Sequence, residues 1–162
     1  MGTINYGRVI LAGLAAGLVV NIIANVAYGF ILADAVEEAL APVGASPPGG
    51  GQIALLWVGG FAFGIVLAWV YAAMRPRFGP GVGTATKAAL AVWVVSSVLP
   101  AFDEVVIGTA ATNFVLSTSL VGLIGALAGA WTAGYFYREE EAAEPAAAPP
   151  PPPQPSPSGP MS

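Results

Sequence analysis

The stretch "GLAAGLVVNIIANVAYG", residues 13–29, decides the fold. Every fourth residue in it is small or polar, in the order Gly13, Gly17, Asn21, Asn25 and Gly29. Residues four apart lie on one face of an α-helix, so the stretch predicts a helix with a narrow ridge of small residues on an otherwise apolar surface. Small residues at this spacing let two helix backbones approach closely, which is typical of helices packed within a membrane.

The composition extends this prediction to the whole chain. Of the 162 residues, 56% are hydrophobic and 9% are charged, whereas soluble chains carry roughly a quarter charged residues. Four apolar segments, about residues 9–32, 53–74, 88–107 and 113–137, are each long enough to cross roughly 30 Å of hydrocarbon. Backbone groups in lipid must bond within their own segment, so we predict an all-α, integral membrane four-helix bundle over residues 9–137. Pro100 is expected to kink or end the third helix.

The charged residues predict an orientation. The five basic residues lie before the first helix, in the second loop and after the fourth helix: Arg8, Arg75, Arg77, Lys87 and Arg138. All five therefore lie on one side of the membrane. The positive-inside rule assigns that side, with residues 1–8 and the C-terminus, to the cytoplasmic face of a bacterial inner membrane. The first apolar segment far exceeds the roughly 7–15 residues of a signal-peptide core, so we expect it to be retained.

The last part of the chain has a different composition. Residues 138–162, which include "EEEAAEPAAAPPPPPQPSPSGPMS", are acidic and rich in proline. Such a segment cannot bury a core, so we expect a disordered tail with polyproline II character on the cytoplasmic side.

Small-residue ridges recur in the other helices. The glycines expected to pack helix against helix, together with the first ridge, are Gly60, Gly64, Gly122, Gly125 and Gly129. An offset of 62 residues superposes Gly60, Gly64 and Trp69 on Gly122, Ala126 and Trp131, which suggests a duplicated helical hairpin. Composition alone is the alternative explanation of that match.

Few polar residues fall within the apolar segments: Asn21, Asn25, Ser96, Ser97, Asn113 and residues 117–119, with Asp103 and Glu104 near the end of the third. Those we assign to a candidate polar path through the membrane are Asn21, Asn25, Asp103, Glu104, Asn113 and Ser117. A polar group facing lipid costs several kcal/mol, so Asn21 and Asn25 must face other helices or a wet cavity. Two interpretations follow: hydrogen bonds that hold helices together, or the lining of a route for a ligand or ion.

The absent residue types narrow the chemistry. The chain has no cysteine and no histidine, so we predict no catalytic residue, metal site or cofactor site and do not expect an enzyme. Five basic residues are too few for a nucleic-acid surface. The glycine-rich second loop lacks the Gly-Lys-Ser/Thr of a phosphate loop.

The patterns "NYGRVILAG", "AAMRPRFGPG" and "KAALAVW" resemble a family of small uncharacterised bacterial four-helix integral membrane proteins. The resemblance covers most of the bundle and none of the proline-rich tail. It implies a four-helix membrane fold but no assigned activity, and no functional residue is carried over from it. Members of that family often have an acid near the position of Asn25, and the asparagine here weakens a proton-relay interpretation.

Two functional hypotheses follow from the sequence. The first is a non-enzymatic accessory or structural subunit that lies in the lipid bilayer. It would associate with itself or with another membrane subunit through its small-residue faces. The second is a small transporter or channel subunit with a polar intramembrane path.

Overall fold

A computed structural model describes residues 4–137 of the chain. Those residues form helices only, in this order: α1 (Tyr6–Val26), a π-helical segment π1 (Ala27–Ile31), α2 (Ala33–Leu40), a 3-10 turn (Ala41–Val43), α3 (Gly50–Phe78), α4 (Val82–Trp93), a second π-helical segment π2 (Val94–Val98), α5 (Leu99–Ile107) and α6 (Thr112–Phe136). The predicted tail at residues 138–162, with Arg138, lies outside the described residues.

Four of these helical stretches are long and apolar enough to cross a membrane. They are the first span (Tyr6–Ile31), the second (Gly50–Phe78), the third (Val82–Ile107) and the fourth (Thr112–Phe136). At about 1.5 Å per residue each exceeds the roughly 30 Å of the hydrocarbon layer. The prediction of an all-helical chain with four apolar helices is therefore confirmed.

The second and third spans are longer than predicted, so the second loop is shorter than predicted. Helix α3 continues to Phe78, so Arg75 and Arg77 lie in its last turn, and Lys87 lies inside α4. The turn between the helices is short because Gly79 and Gly81 adopt positive φ angles of 79° and 118°, which only glycine reaches without strain. The basic side chains still lie at the helix ends, where long stems extend to the interface.

The third span neither ends at Pro100 nor remains regular. Its backbone turns π-helical over Val94–Val98 and resumes as α5 at Leu99. Proline has no N–H and its ring clashes with the carbonyl of the residue four positions earlier. That residue is Ser96, in the middle of π2, so the irregular turn lies where the proline perturbs the helix.

The spans alternate in direction and pack as one bundle. The first span contacts the second and the fourth, the third span contacts the same two, and the second and fourth contact each other between them. This arrangement defines a basic end, which carries Arg8, Arg75, Arg77 and Lys87, and an acidic end, which carries Asp34, Glu37, Glu38, Asp103 and Glu104.

The buried core lies in the half of the bundle toward the basic end. Ten of its fourteen buried members are alanines, and the others are Val9, Leu67, Tyr71 and Tyr137. Large apolar side chains such as Leu11, Phe30 and Leu55 point outward instead. Small residues inside and large ones outside are expected where lipid, rather than water, surrounds the helices and close backbone contact drives their association.

The ridge at residues 13–29 packs only over its first half. A Cβ atom built on Gly17 would lie 2.6 Å from the Phe61 Cα atom, and one on Gly64 would lie 2.6 Å from the Gly17 Cα atom. At the other end of the ridge, Gly29 has no neighbouring atom within 4 Å and Asn25 is exposed. At Gly29 the ridge is interrupted because π1 begins at Ala27 and changes the face that each later residue presents.

The two helical hairpins make corresponding contacts. Asn21 packs on Gly60 in the first hairpin, and Ser97 packs on Gly122, which is 62 residues further on, in the second. The main-chain carbonyl of Trp57 accepts a hydrogen bond from Asn21 Nδ2 at 3.0 Å, and that of Ser119, also 62 residues further on, accepts one from Trp93 Nε1 at 2.9 Å. Only the residues of the second and fourth spans share the offset of 62, because their partner Asn21 in the first span lies 76 residues before Ser97 and 72 before Trp93. The duplicated hairpin therefore stays a prediction.

Candidate functional site

Two π-helical segments lie in the half of the bundle toward the acidic end. π1 occupies the end of the first span and π2 the middle of the third. A π-helical turn has a wider hydrogen-bonding ring than an α-helical turn, and such turns occur frequently at functional sites. Both segments contribute residues to one cavity: Tyr28 comes from π1, and Ser96 and Ser97 come from π2.

We call this cavity the acidic-end pocket. It has a volume of about 190 Å³ and lies among the first, third and fourth spans. Its lining residues with polar side chains are Tyr28, Ser96, Ser97, Glu104, Thr118 and Ser119. The remaining lining residues are Pro100, Ala101 and Val115.

The carboxylate of Glu104 is the only charged group that lines the acidic-end pocket. Within residues 4–137 it forms no ion pair, because every Lys and Arg of that part of the chain lies at the opposite end. Glu104 is exposed, and hydroxyl residues from two other spans line the same pocket; hydroxyls both donate and accept hydrogen bonds. A negative charge that shares a pocket with hydroxyls, without a cation beside it, is suited to bind a positively charged group.

The lining hydroxyls differ in how they are already used. Thr118 Oγ1 donates to the Val115 carbonyl oxygen at 3.0 Å. The hydroxyls of Ser96, Ser97 and Tyr28 make no hydrogen bond to another of the described residues. Their donors and acceptors are therefore available to a ligand or to water in the pocket.

An apolar groove adjoins the acidic-end pocket. It has a volume of about 530 Å³ and lies between the third and fourth spans. Its lining includes the aromatic residues Trp93 and Phe102 and the aliphatic residues Val105, Leu116 and Leu120. Ala101, Val115 and Ser119 line both cavities, so the two are contiguous.

The opposite half of the bundle is closed. Leu67 and Tyr71 are 0% and 1% exposed. The Tyr71 hydroxyl accepts a hydrogen bond from the Gly81 N–H at 3.1 Å, and its ring packs edge-to-face against Tyr137 at a centroid distance of 6.1 Å. The Arg75 guanidinium carbon lies 5.6 Å from the centroid of the Tyr137 ring. The acidic-end pocket therefore opens away from a packed interior.

The structure does not unite the six residues of the predicted polar path. Only Glu104 lines the acidic-end pocket. Asn21 is 4% exposed and is held between the first and second spans by its bond to Trp57, which matches the helix-joining interpretation. The Asn25 side chain donates to the Asn21 carbonyl oxygen at 2.9 Å, within its own helix.

The other three predicted path residues lie outside the pocket as well. Asp103 is exposed and points away, since adjacent residues of a helix differ by about 100°. Asn113 is exposed at the start of α6, and Ser117 Oγ donates to the Asn113 carbonyl oxygen at 2.8 Å. Within residues 4–137, no group of three or more acidic side chains could hold a metal ion.

Tyr28 is the pocket residue that the sequence analysis missed. It stands seven residues after Asn21 and three after Asn25, a spacing that belongs to the same helical face. That spacing would have included Tyr28 in the polar set.

The fold and the pocket together define a class: an all-helical bundle whose four long apolar helices could span a membrane, with a polar cavity in one half. Comparisons with protein-family models, with curated proteins and with solved structures found no match.

Proposed function

We propose that the chain is a non-enzymatic subunit for membrane transport, which binds a small organic ammonium ion in the acidic-end pocket. The observation that carries the proposal is the position of Glu104, an exposed acidic residue with no ion pair among residues 4–137, at a pocket whose other polar lining residues all carry hydroxyls. An opposite charge is attracted to such a carboxylate, and more strongly near a protein surface than in bulk water.

The residues of the pocket favour a monovalent cation over a divalent metal. Calcium takes six to eight oxygen ligands, usually with several carboxylates among them. The pocket offers one carboxylate, with the rest of its polar groups being hydroxyls. An ammonium group needs one negative charge and a few acceptors, which this lining supplies.

The accessory-subunit hypothesis stays a prediction, with less support from its packing surface. It depended on small-residue faces that were free to meet another protein. Gly13, Gly17 and Gly64 make their close contacts within this chain, and Gly125 and Gly129 are buried against the first span. Association with another subunit would therefore need a different surface.

The orientation remains part of the proposal. We place the basic end in the cytoplasm of a bacterial inner membrane, with the acidic-end pocket facing outward, and we assign the chain to the family that its loops resemble. Support for the orientation comes from the absence of Lys and Arg among residues 9–74 and 88–137.

Single cysteines test the orientation directly, because the natural chain has none. In intact bacterial cells, a membrane-impermeant maleimide should label Ala39→Cys, in the exposed α2 helix, and should leave Gly83→Cys unlabelled until the cells are lysed. Labelling of Gly83→Cys alone would reverse the orientation.

Neutralising one carboxylate tests the binding site. We expect tetramethylammonium to bind the full chain in lipid nanodiscs, measured by calorimetry against empty nanodiscs. Glu104→Gln should weaken that binding by about tenfold or more, because the charge-assisted contact is lost. Asp103→Asn is the matched control: it removes the same charge from the same helical turn outside the pocket, and should bind as the natural chain does.

Two results would contradict the proposed function. One is a natural chain that does not bind tetramethylammonium. The other is an equal loss of binding in Glu104→Gln and Asp103→Asn, which would indicate a diffuse effect of surface charge. If binding depends on Glu104, a second measurement distinguishes transport from binding alone. Radiolabelled tetramethylammonium should enter proteoliposomes that contain the natural chain, and Glu104→Gln should reduce that uptake.

A further inference from the structure

The apolar groove has no part in the function proposed above, yet it is joined to the pocket that does. The connection runs past Ala101, which lines both cavities together with Val115 and Ser119. On one side of Ala101, α5 presents Phe102 and Val105 to the groove; on the other side it presents Pro100 and Glu104 to the pocket. One helix thus borders both an apolar surface and a charged one, which meet at Ala101.

The groove has the size and lining of a ligand site. Its volume of about 530 Å³ lies within the roughly 300–1,000 Å³ typical of small-molecule sites. The groove is open because α5 contacts α6 and no other span to a comparable extent among the described residues. The indole of Trp93 is held in place by its hydrogen bond to the Ser119 carbonyl oxygen, so one wall is fixed.

From this juxtaposition we propose that the ligand is an amphiphilic ammonium ion, with its charged head at Glu104 and its hydrocarbon body in the apolar groove. The inference rests on the proposed function, because it assigns the head group to the same pocket. Charge complementarity determines the direction of binding: the head lies at the acidic end, and the body extends beside Phe102 and Trp93, whose rings accept alkyl or aryl groups.

The charges at the acidic end favour an ammonium amphiphile over a phospholipid. Phosphate oxygens would lie beside Asp103 and Glu104, with no Lys or Arg among residues 88–137 to balance them. An alkylammonium ion carries only the positive charge that the pocket complements.

Comparing head groups with and without a tail tests the inference. Tetramethylammonium, butyltrimethylammonium and octyltrimethylammonium are titrated into the full chain in phosphatidylcholine nanodiscs, with empty nanodiscs subtracting partition into lipid. In the natural chain we expect affinity to rise with tail length, by about tenfold or more from tetramethyl to octyl.

Filling the groove should remove that rise without affecting the head group. Val105→Trp places a bulky ring in the groove, and Val106→Trp is its matched control, because Val106 is 67% exposed and does not line the groove. We expect Val105→Trp to bind octyltrimethylammonium no better than tetramethylammonium, whereas Val106→Trp keeps the full gain. Leu120→Trp, from the fourth span, fills the groove independently should Val105→Trp fold poorly.

The outcomes separate this inference from the proposed function. Tetramethylammonium could bind through Glu104 while octyltrimethylammonium binds no more tightly, or gains equally in all the tryptophan variants. In that case the inference of an amphiphilic ligand is wrong and the transport proposal stands. If none of the ions depends on Glu104, both are wrong. The inference of an amphiphilic ammonium ligand would also be wrong if native mass spectrometry showed a bound phospholipid that octyltrimethylammonium does not displace.

Discussion

The two halves of the bundle contain the same helices but differ in packing. Toward the basic end, ten alanines and four larger residues form one buried cluster in which all four spans participate. Toward the acidic end, the buried apolar residues of the described chain are Ala27 and Val115; two π-helical segments interrupt the spans, and two cavities open. The difference indicates that close packing is concentrated in one half, while the other half leaves open cavities.

The largest expected effect on stability comes from a substitution that disrupts the packed half. Gly64→Leu would drive a side chain into the Gly17 nitrogen and the Gly13 carbonyl oxygen, which are backbone atoms and cannot move aside. We expect a loss of about 3 kcal/mol or more in the free energy of unfolding. SDS titration in mixed micelles, followed by far-UV circular dichroism, measures it.

Gly59→Leu is the matched control, because no atom lies within 4 Å of a Cβ built on Gly59. Its unfolding should be close to that of the natural chain. Equal losses in the two variants would mean that leucine itself, rather than close helix contact, disrupts this helix.

A smaller effect should follow from Asn21→Leu, at the boundary between the halves. The change removes the hydrogen bond to the Trp57 carbonyl oxygen and should cost about 1 kcal/mol in the same titration. Binding of tetramethylammonium should stay unchanged, since Asn21 lies outside the acidic-end pocket.

Asn25→Leu serves as the comparison, because Asn25 is exposed and bonds only within its own helix. It should leave both unfolding and binding near the natural values. Weaker tetramethylammonium binding in Asn21→Leu with the fold intact would restore Asn21 to the polar path.

The corresponding contact in the second hairpin should be weaker. Trp93→Phe removes the hydrogen bond to the Ser119 carbonyl oxygen, and we expect a loss of about 0.6 kcal/mol in the SDS titration. Trp69→Phe is the control, since that indole is 50% exposed and makes no hydrogen bond among the described residues. If Trp69→Phe costs as much, the loss reflects ring size and the two hairpins are not equivalent at this bond.

The smallest effect distinguishes two glycines of one ridge. A Cβ on Gly125 would lie 3.9 Å from Val20, an ordinary contact, whereas one on Gly129 would lie 2.9 Å from Val20 and 3.0 Å from Leu67. We expect Gly125→Ala to stabilise the helix by about 0.5 kcal/mol and Gly129→Ala to destabilise it. Unfolding titrations that rank the two in the reverse order would show that the packed half does not end between them.

Much of the fold follows from the sequence alone. Four apolar segments must become helices in lipid, because no other structure within a single segment satisfies its backbone. The small-residue ridges at Gly13, Gly17, Gly60 and Gly64 predict close packing, and the structure places these four residues in contact. The sequence did not predict α2, and it left open whether the third span kinks or ends at Pro100, where the structure continues it to Ile107. Both features depend on local backbone geometry that apolar composition does not encode.

The candidate site was predicted only in part. The sequence identified Glu104 and the serines of the third and fourth spans as polar residues within apolar segments, but it also grouped them with Asn21 and Asn25. A helical pattern specifies which residues share a face, and it leaves open which neighbouring span that face meets.

The sequence by itself therefore determined the four apolar spans and the residues small enough to pack. The tertiary structure alone decided that Tyr28, Ser97, Glu104 and Thr118, from three different spans, surround one pocket, while Asn21 joins two helices. The physical reason is that π1 and π2 each change the helical register within a span, so the faces that meet toward the acidic end are not those that a regular helix would present.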